Sequence, residues 1–547
     1  MSEIRLGTSA DPIHQACADD TAWSRVNAAE AFQGVLTPLN YTVLAMPVEV
    51  GSREAMQDMG LFSAREVDFP DEVDKRLAGI FYGRWATNKH LTATIGERTP
   101  GTSATAFQQD LFGEAGGVPV PDPLPHAARY ATIAGKLPVA IARTPRRLAR
   151  LRKETDAWWR KTVASDATAL SIEAAITLLD EARARLQANM RAHILGSMLA
   201  QATYERLTAV CAAAGLAGHE NSLTTGYGGM EESKALTDLW LVAQGQLRVE
   251  EFIDRHGYHG PSEGEISSVV WREDLRPVTS LIERFKTLDP TNAPDIRAKR
   301  QGLEARKAEK RLLAELNIVQ RPAARALLRL TGRYMLLREV GKAAYLQAID
   351  GARFATRAIG ARLEEASAID ERDDVFQLTY DELRTWRDVD ARSLIATRKA
   401  RWHAYHDLDV PENWVGQLHL DPPVGSPVND SDDESRSIEG TGVSPGTVEG
   451  RAVVVLDPFD SGDVVEPGDI VVCPWTDPSW APTMMVSAGL VIETGGPLSH
   501  GAIIARELGV PCVVAVNEAT KRLRTGDTIR IDGATGTIEI LHRDATP

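Results

Sequence analysis

The sequence predicts a multidomain protein in which a largely α-helical domain is followed by a compact α/β domain. Two blocks, residues 156–214 and 292–368, are rich in Ala, Leu, Arg and Glu, and their apolar residues recur at helical spacing. Beyond residue 438, short apolar runs alternate with helical stretches, which is typical of an α/β domain. A chain of 547 residues is also too long for a single hydrophobic core and suggests about two to four domains.

The composition excludes several classes of protein. A net charge of −15 argues against wholesale binding to nucleic acid or to an anionic membrane, so we expect neither as a partner. The four cysteines are far apart and form no C-x-x-C pair, which is typical of reduced thiols rather than of disulfides or a zinc site. The N-terminus has no apolar signal core, and no run approaches about 18 apolar residues. We therefore expect a cytoplasmic protein, with homo-oligomerisation left open.

The first domain is predicted to span residues 21–420, after a polar and flexible N-terminus that comprises residues 1–20. Residues 70–145 mix polar and apolar positions without a clear period, and the Pro-rich run 119–125 is predicted to be an extended loop. Pro322 interrupts the second helical block, so at least two helices are expected there.

A glycine-rich segment, residues 218–231, precedes a helix predicted at residues 234–244. Its backbone N–H groups could cradle a phosphate, and Thr225 is a candidate substrate-binding residue within it. A connecting turn before a capped helix is the alternative interpretation. The segment is not a P-loop, because the spacing G-x-x-x-x-G-K-[ST] occurs nowhere in the chain.

The densest polar cluster outside the C-terminal domain covers residues 255–274. His256 and His259 could each take a proton from an attacking hydroxyl, while Glu263 and Arg272 are candidates for binding the molecule that carries it. Structural anchoring of the loop is the other interpretation. The H-x-x-H spacing differs from the helical spacing of zinc enzymes, and the glycines favour a loop, so no metal site is predicted.

A linker is predicted at residues 421–437, where hydrophobicity falls and Pro, Ser and Asp dominate. It would permit movement of the domain that follows, residues 438–547. In that domain the apolar runs predict strands at residues 451–455, 470–473, 490–492, 511–515, 528–531 and 537–540. Helices are predicted at residues 481–488, 500–508 and 518–523.

His500 stands at the start of one of these helices, after a strand and two glycines. A helix N-terminus has unpaired backbone N–H groups and about half a positive charge, which suits a phosphate. Gly495, Gly496 and Gly501 leave the backbone open to a bulky anion. Free imidazole, with a reference pKa of about 6.5, is neutral enough at pH 7 to act as a nucleophile. His500 is therefore a candidate phosphate carrier, with a surface or capping histidine as the alternative.

The stretch Thr494–Arg506, which reads T-G-G-P-L-S-H-G-A-I-I-A-R, resembles the phosphohistidine motif of the phosphoenolpyruvate-utilising enzyme family. That family includes phosphoenolpyruvate synthase, pyruvate phosphate dikinase, rifampicin phosphotransferase and the phenylphosphate synthases. The resemblance implies that residues 438–547 form a swivelling phosphohistidine domain in which His500 is phosphorylated. The residues that would then stabilise the phosphoryl group are Gly495, Gly496, Ser499, Gly501 and Arg506.

One position of the motif has a second interpretation, and another differs from the pattern of the dikinases. An exposed helix arginine is the alternative interpretation of Arg506. The dikinases usually carry Ala where this chain has Gly501, so the antibiotic phosphotransferases are more similar here.

The N-terminal part of the chain is similar to the middle part of the same proteins. Residues 27–39, N-x-x-E-x-x-x-G-x-x-T-P-L, resemble the opening of the acceptor-binding domain of the rifampicin phosphotransferases. Residues 373–383 resemble an element near the end of that domain, with Thr379 as a predicted N-cap. The resemblance implies that residues 21–420 bind the acceptor of the phosphoryl group.

Full-length relatives carry an ATP-grasp domain, and no such module is expected within these residues. The resemblance therefore implies a phosphotransferase component that is phosphorylated at an ATP and Mg²⁺ site on a separate ATP-grasp protein, as in phenylphosphate synthase. The acceptor would be a hydroxyl of a small, hydrophobic organic molecule. Two alternatives are left open: a non-catalytic phosphohistidine relay or regulator, and a ligase-like member of the family.

Overall fold

The computed structural model describes residues 11–28, 31–99, 102–112, 129–226, 231–420, 437–456, 465–476, 480–497 and 499–543. The predicted loop 119–125, the first ten residues of the predicted N-terminal segment and all of the predicted linker except Ser437 lie outside these ranges. The chain divides into two compact units. The first comprises Met1–Leu195, Ser262–Ser268 and Gly341–Asp430, and the second comprises Gly196–Pro261, Val269–Val340 and Ser431–Pro547. The domain boundaries drawn from the sequence stay a prediction.

Helices account for most of the chain before residue 420. In chain order the α-helices are α1 Pro38–Met59, α2 Lys89–Arg98, α3 Ala104–Phe112, α4 Tyr130–Val163, α5 Ile172–Ala213, α6 His219–Leu223, α7 Glu231–Ala243, α8 Val249–His256, α9 Arg276–Thr287, α10 Pro294–Glu315, α11 Gln320–Glu365, α12 Tyr380–Arg384, α13 Ala391–His406, α14 Ala481–Val486, α15 His500–Leu508 and α16 Ala519–Arg522.

The two predicted helical blocks are present, with breaks that local signals explain. The second block contains two helices, α10 and α11, as expected. Pro322 lies in the first turn of α11, where proline is tolerated because the first N–H groups have no partner inside the helix. Helix α4 begins earlier than the sequence indicated, at Tyr130, and includes Pro138 and Pro145. The predicted N-cap is confirmed, since the Thr379 side chain accepts a hydrogen bond at the start of α12.

A four-stranded antiparallel sheet lies in the first unit. Its strands are β1 Ala22–Ser24, β2 Ala78–Phe81, β3 Arg84–Asn88 and β4 Asn413–Val415, in the order β2-β3-β1-β4. Next to it, two distant segments of the chain meet at the start of α1. Glu265 accepts hydrogen bonds from the backbone N of Thr37 at 3.0 Å and from its hydroxyl at 2.9 Å.

An eight-stranded sheet lies in the second unit. Its strands are β5 Ser437–Glu439, β6 Thr441–Ser444, β7 Thr447–Val454, β8 Ile470–Cys473, β9 Gly489–Ile492, β10 Cys512–Val514, β11 Thr528–Asp532 and β12 Thr537–His542. Their order is β5-β12-β11-β7-β8-β9-β10-β6. The neighbours from β7 to β10 are parallel, and the outer pairs are antiparallel. All the strands predicted in this region are present, and β5 and β6 are added to them.

Both faces of the central parallel strands are covered, as is usual for a parallel sheet. Along β8, Ile470 and Val472 pack with one core, whereas Val471 and Cys473 pack with another. The second of these cores joins the sheet and helices α14 and α15 to helices α7, α8 and α9, through a set of buried side chains that includes Trp240, Phe252, Phe285, Trp480, Met484, Ala502 and Ile504. Helix α15 is therefore held between the sheet and helical segments from residues 231–293.

The predicted fold class, a largely helical region followed by a compact α/β domain, is confirmed. Among the residues that the structure describes, no helix is both long enough and apolar enough to cross a membrane.

Candidate functional site

His500 is the first residue of α15, in the position that the sequence predicted. The buried strand β9 leads into the preceding loop, and Gly509 in a left-handed conformation ends the helix. Ser499 is the N-cap, and its hydroxyl accepts a hydrogen bond from the backbone N of Ala502 at 3.4 Å. His500 therefore lies at the N-terminal end of α15, where the helix dipole is positive.

The loop before His500 is fixed at both of its ends. Thr494 donates through its backbone N and its hydroxyl to the Pro474 carbonyl, at 3.1 and 2.7 Å. The Ser499 backbone N donates to the Gly496 carbonyl at 3.0 Å. Gly495 has a φ of +129°, in a region that residues with side chains rarely adopt. The glycines therefore allow a tight turn here, and their predicted role in holding a phosphate stays a prediction.

Thr476 positions the imidazole ring. Its hydroxyl lies 3.3 Å from Nδ1 of His500, and the His500 side chain is buried, with 7% of the residue exposed. The sequence analysis did not identify Thr476, which follows β8 and lies 24 positions before His500. Nothing local to Thr476 indicates this contact, because it depends on the pairing of β8 with β9.

Gly501 is closely packed, so a side chain at this position would require its neighbours to shift. A Cβ at this position would lie 2.4 Å from Cδ1 of Ile492 and 2.7 Å from Oγ1 of Thr476, closer than such atoms approach in proteins. The absence of a side chain therefore lets the Thr476 hydroxyl approach His500. This gives a steric reason for the glycine that distinguishes this chain from the dikinase pattern.

Replacing Gly501 by Ala is expected to lower the free energy of unfolding by about 1–3 kcal/mol, because overpacking a filled site costs about that much. The same change should move the Thr476 hydroxyl and alter the ¹⁵N NMR signals of the His500 ring. Denaturant unfolding and NMR of the variant check both effects. Thr476→Val is the matched control, since it removes the hydroxyl without adding an atom beside Gly501. An Ala variant with wild-type stability and wild-type ring signals would contradict this interpretation.

Arg506 lies inside the protein, with only 2% of the residue exposed, so the interpretation as an exposed helix arginine is wrong. Its Nη2 donates to the Pro497 carbonyl at 2.6 Å, in the loop before His500. Its Nη1 donates to Oδ1 of Asn221 at 3.1 Å, and the same oxygen accepts from the Tyr204 hydroxyl at 2.9 Å. In this structure Arg506 anchors the loop, and its predicted contact with a phosphoryl group stays a prediction.

The described part of the glycine-rich segment contacts the other end of α15. The Gly226 backbone N donates to Oε1 of Glu507 at 2.9 Å. Thr225 is buried, and its hydroxyl donates to the Ser222 carbonyl at 3.1 Å. Residues 227–230 lie outside the described ranges. The predicted role of Thr225 in binding an acceptor stays a prediction.

His256 forms an ion-pair-like contact that the sequence did not indicate. Its Nε2 lies 2.8 Å from Oδ2 of Asp238, which also accepts from Nη1 of Arg255 at 3.1 Å. Burial lowers the pKa of His256, and the hydrogen bond with Asp238 opposes this shift. The buried His256 is thus held by one ring nitrogen at the end of α8.

His259 lies next to an apolar cleft in the same unit. Its ring centroid is 6.4 Å from that of His256 and 5.5 Å from that of Trp271. The cleft is small, with a volume of about 10 Å³ that has room for about one water molecule, and it is lined by Ala235, Leu236, Leu239, Phe252, His259, Trp271, Ala481 and Pro482. Ala481 and Pro482 come from α14, so helical and α/β segments both contribute to this cleft.

The other two predicted acceptor-binding residues lie in different settings. The backbone N of Arg272 donates a hydrogen bond to the carbonyl of Gly257, which lies between His256 and His259, at 3.0 Å. Its Nη2 lies 3.3 Å from Oε1 of Glu273. Glu263 belongs to the other compact unit, where its carbonyl accepts from Nη2 of Arg353 at 3.4 Å. The structure thus brings His256, His259 and Arg272 into one local region, and Glu263 is described with the first unit.

The stability of the folded protein is expected to fall as the pH drops through about 6.5, because His256 has a lower pKa when folded and takes up a proton on unfolding. Urea unfolding between about pH 5.5 and 7.5 measures the slope of the free energy of unfolding against pH. His256→Gln should reduce the slope while keeping a donor for Asp238. The matched control is His403→Gln, at an exposed position of α13. An unchanged slope in His256→Gln would show that His256 does not cause the pH dependence of stability.

No group of three or more His, Cys, Asp and Glu side chains that could hold a metal ion occurs among the residues that the structure describes.

Two known families match parts of the chain that contain these residues. Residues 465–536 match the family described as the PEP-utilising enzyme mobile domain, a range that contains Thr476 and His500. Residues 229–339 match the family described as the rifampicin phosphotransferase fourth domain, which contains the His256 and His259 region. The resemblance stated from the sequence is confirmed.

Curated relatives match over part of their length. A rifampicin phosphotransferase from Streptomyces sviceus is 36% identical over 329 residues, which cover 57% of this chain and 37% of the relative. One from Bacillus subtilis is 32% identical over 307 residues, which cover 54% of this chain and 34% of the relative. The chain thus spans little more than a third of the length of these relatives. Among solved structures, aconitase X from Thermococcus kodakaraensis aligns with 19% of this chain and 98% of its own at 20% identity, with a TM-score of 0.17 that carries no argument.

Proposed function

We propose, from the premise that this chain is a relative of the rifampicin phosphotransferases and carries the mobile domain of the PEP-utilising enzymes, that it is the phosphoryl-carrying component of a phosphotransferase. His500 would accept the phosphoryl group from a nucleotide and pass it to a hydroxyl of an organic acceptor. The observation that carries the proposal is the position of His500, at the N-terminus of α15 with Nδ1 beside the Thr476 hydroxyl.

The transfer takes place in two steps. First, a ring nitrogen of His500 attacks the phosphorus atom, so that an N–P bond forms as the P–O bond to the rest of the nucleotide breaks. Because Nδ1 is engaged by Thr476, we assign the attack to Nε2. Second, the acceptor oxygen attacks the same phosphorus atom, the N–P bond breaks, and the hydroxyl proton passes to a base.

The helix terminus supports the phosphorylated form. The N-terminal end of α15 contributes a partial positive charge and backbone N–H groups, which stabilise an anion on the adjacent ring. Gly495, Gly496, Ser499 and Gly501 provide a backbone without bulky side chains around the phosphoryl group. Arg506 keeps the preceding loop in place through the Pro497 carbonyl.

The acceptor is a small, hydrophobic molecule with a hydroxyl group, and the apolar side chains around His259 support this choice. The cleft between them has room for about one water molecule, so it has to widen when the acceptor binds. His256 or His259 would take the hydroxyl proton. Thr225 and Arg272 are the further acceptor-binding residues of this proposal, and the role of Glu263, which belongs to the first compact unit, stays a prediction.

The nucleotide site belongs, in this proposal, to a separate ATP-grasp protein that holds ATP and Mg²⁺. This part rests on the resemblance to the phenylphosphate synthases. The travel of the phosphoryl group between two proteins is chemically feasible because a covalent phosphohistidine stores it between the two steps.

Intact-mass spectrometry at neutral to alkaline pH tests the proposal. The chain is incubated with Mg-ATP, alone and with a candidate ATP-grasp protein, and a gain of one phosphoryl group only with the second protein is the expected result. Labelling by Mg-ATP alone would place the nucleotide site on this chain. Labelled protein that transfers its phosphoryl group to no hydroxyl compound in an acceptor screen would favour a phosphohistidine relay.

A further inference from the structure

Residues 294–340 form a positively charged helical hairpin, which we call the basic hairpin. It consists of α10, the connecting residues 316–319 and the first part of α11. The segment contains twelve Lys and Arg residues against five Asp and Glu residues, a net charge of +7. Since the whole chain has a net charge of −15, all other residues together carry −22. The net charge of the hairpin is thus opposite in sign to that of the rest of the chain.

Many of these cations are exposed and lack a counter-charge. Lys299 and Lys307 pair with Asp295 and Glu304 within α10. Seven further side chains are exposed and form no ion pair with any residue in the described ranges, namely Arg300, Arg306, Lys310, Arg311, Arg325, Arg329 and Arg333. Arg325, Arg329 and Arg333 are four residues apart, so they form one line along α11.

Apolar side chains are exposed on the same hairpin. Ile318 and Val319, at its tip, are 79% and 82% exposed. Of the twelve large apolar residues that are exposed in the described parts of the chain, five belong to the hairpin, Ile296, Leu303, Ile318, Val319 and Leu330. Exposed apolar side chains and arginines on one hairpin are typical of a protein interface rather than of a solvated helix.

The opposite side of the hairpin is already occupied. Leu312 of α10 and Ala324 of α11 pack with Leu207 and Cys211 of α5 in a separate small core. The charged and apolar side chains described above lie outside this core. The hairpin therefore has a packed inner face and an exposed outer face with no partner among the described residues.

We propose that the outer face of the basic hairpin binds an acidic surface of a second copy of this chain. Two hairpins would repel each other, so the contact joins the hairpin of one copy to the acidic remainder of the other. Two such contacts, related by a twofold axis, close a dimer. The cations would find counter-charges, and the exposed apolar residues would be removed from water.

A second copy fits these observations better than a nucleic acid or an anionic lipid surface. The complementary negative charge is present in the chain itself, because the residues outside the hairpin together carry −22, so a second copy supplies it without any other molecule. Exposed Ile and Val side chains also have no favourable contact on a phosphate backbone.

Sedimentation velocity of the full chain tests the proposal. We expect dimers in about 50 mM NaCl. In about 500 mM NaCl the association constant should be smaller by at least about tenfold, because salt screens exposed charges. The triple variant R325E/R329E/R333E should be monomeric in both salts. I318S/V319S should weaken association without altering the charge. Circular dichroism checks that each variant is folded.

The matched control is R143E/R146E/K153E, which makes the same change in net charge on exposed positions of α4. It should leave the dimer intact. A monomeric wild-type chain in low salt would overturn the proposal, and so would equal weakening by the control. Binding of single-stranded DNA or of vesicles containing phosphatidylserine by a monomeric wild-type chain would assign the hairpin to a polyanion instead. These outcomes do not depend on phosphorylation of His500.

Discussion

Replacement of His500 by Ala is expected to abolish phosphoryl labelling of the chain completely. The imidazole provides the nitrogen that forms the N–P bond, and no neighbouring side chain replaces it at the N-terminus of α15 in the described structure. The measurement is intact mass after incubation with Mg-ATP and the ATP-grasp protein, at neutral to alkaline pH.

Two variants control this experiment. His403→Ala removes a histidine from an exposed position of α13 and should be labelled like the wild type. His256→Ala should also be labelled, because we assign His256 to the acceptor step and not to the carrier step. Full labelling of His500→Ala would show that another residue carries the group, and the carrier proposal would then be rejected.

Replacement of Arg506 by Ala is expected to lower the free energy of unfolding by about 3 kcal/mol. Two hydrogen bonds from a buried cation are lost, and the Pro497 carbonyl and the Asn221 side chain lose a donor inside the protein. The loop before His500 loses an anchor, so phosphoryl labelling should also become slower. Denaturant unfolding measures the first effect, and the time course of the mass change measures the second.

Arg524→Ala is the matched control, since Arg524 belongs to the same domain and is exposed. It should change stability by less than about 0.5 kcal/mol. The free energy of unfolding of Arg506→Lys should lie between those of Arg506→Ala and Arg524→Ala, because an ammonium group keeps the charge but does not reproduce the geometry of a guanidinium group. If Arg506→Ala were as stable as Arg524→Ala, the anchoring role would be wrong.

The anchoring role of Arg506 shows how the structure changes an interpretation that depended on local sequence. Its position two turns after His500 suggested a phosphate ligand or an exposed helix residue, but the side chain points to Pro497 and Asn221. Asn221 lies 285 positions earlier in the chain. No local pattern connects these residues, because α6 and α15 come together only in the folded chain, where both pack against α10.

The sequence alone predicted the features that depend on neighbouring residues. The strands and helices of the α/β domain, the start of α15 at His500 and the N-cap Thr379 all follow from periodicity, turn residues and capping within a few positions. These signals are reliable because they operate over a single turn or strand. The motif around His500 adds the resemblance to the PEP-utilising enzymes, which the family comparison confirms.

Only the tertiary structure decided which distant side chains meet. It placed the Thr476 hydroxyl at His500, Asp238 at His256, and Glu265 at Thr37, a pair 228 positions apart. Such contacts result from the burial of apolar faces against one another, which sets the relative position of helices and strands. A sequence pattern specifies each face but not its partner. The position of His500 at the start of α15 could therefore be predicted from the sequence, whereas the residues that contact it could not.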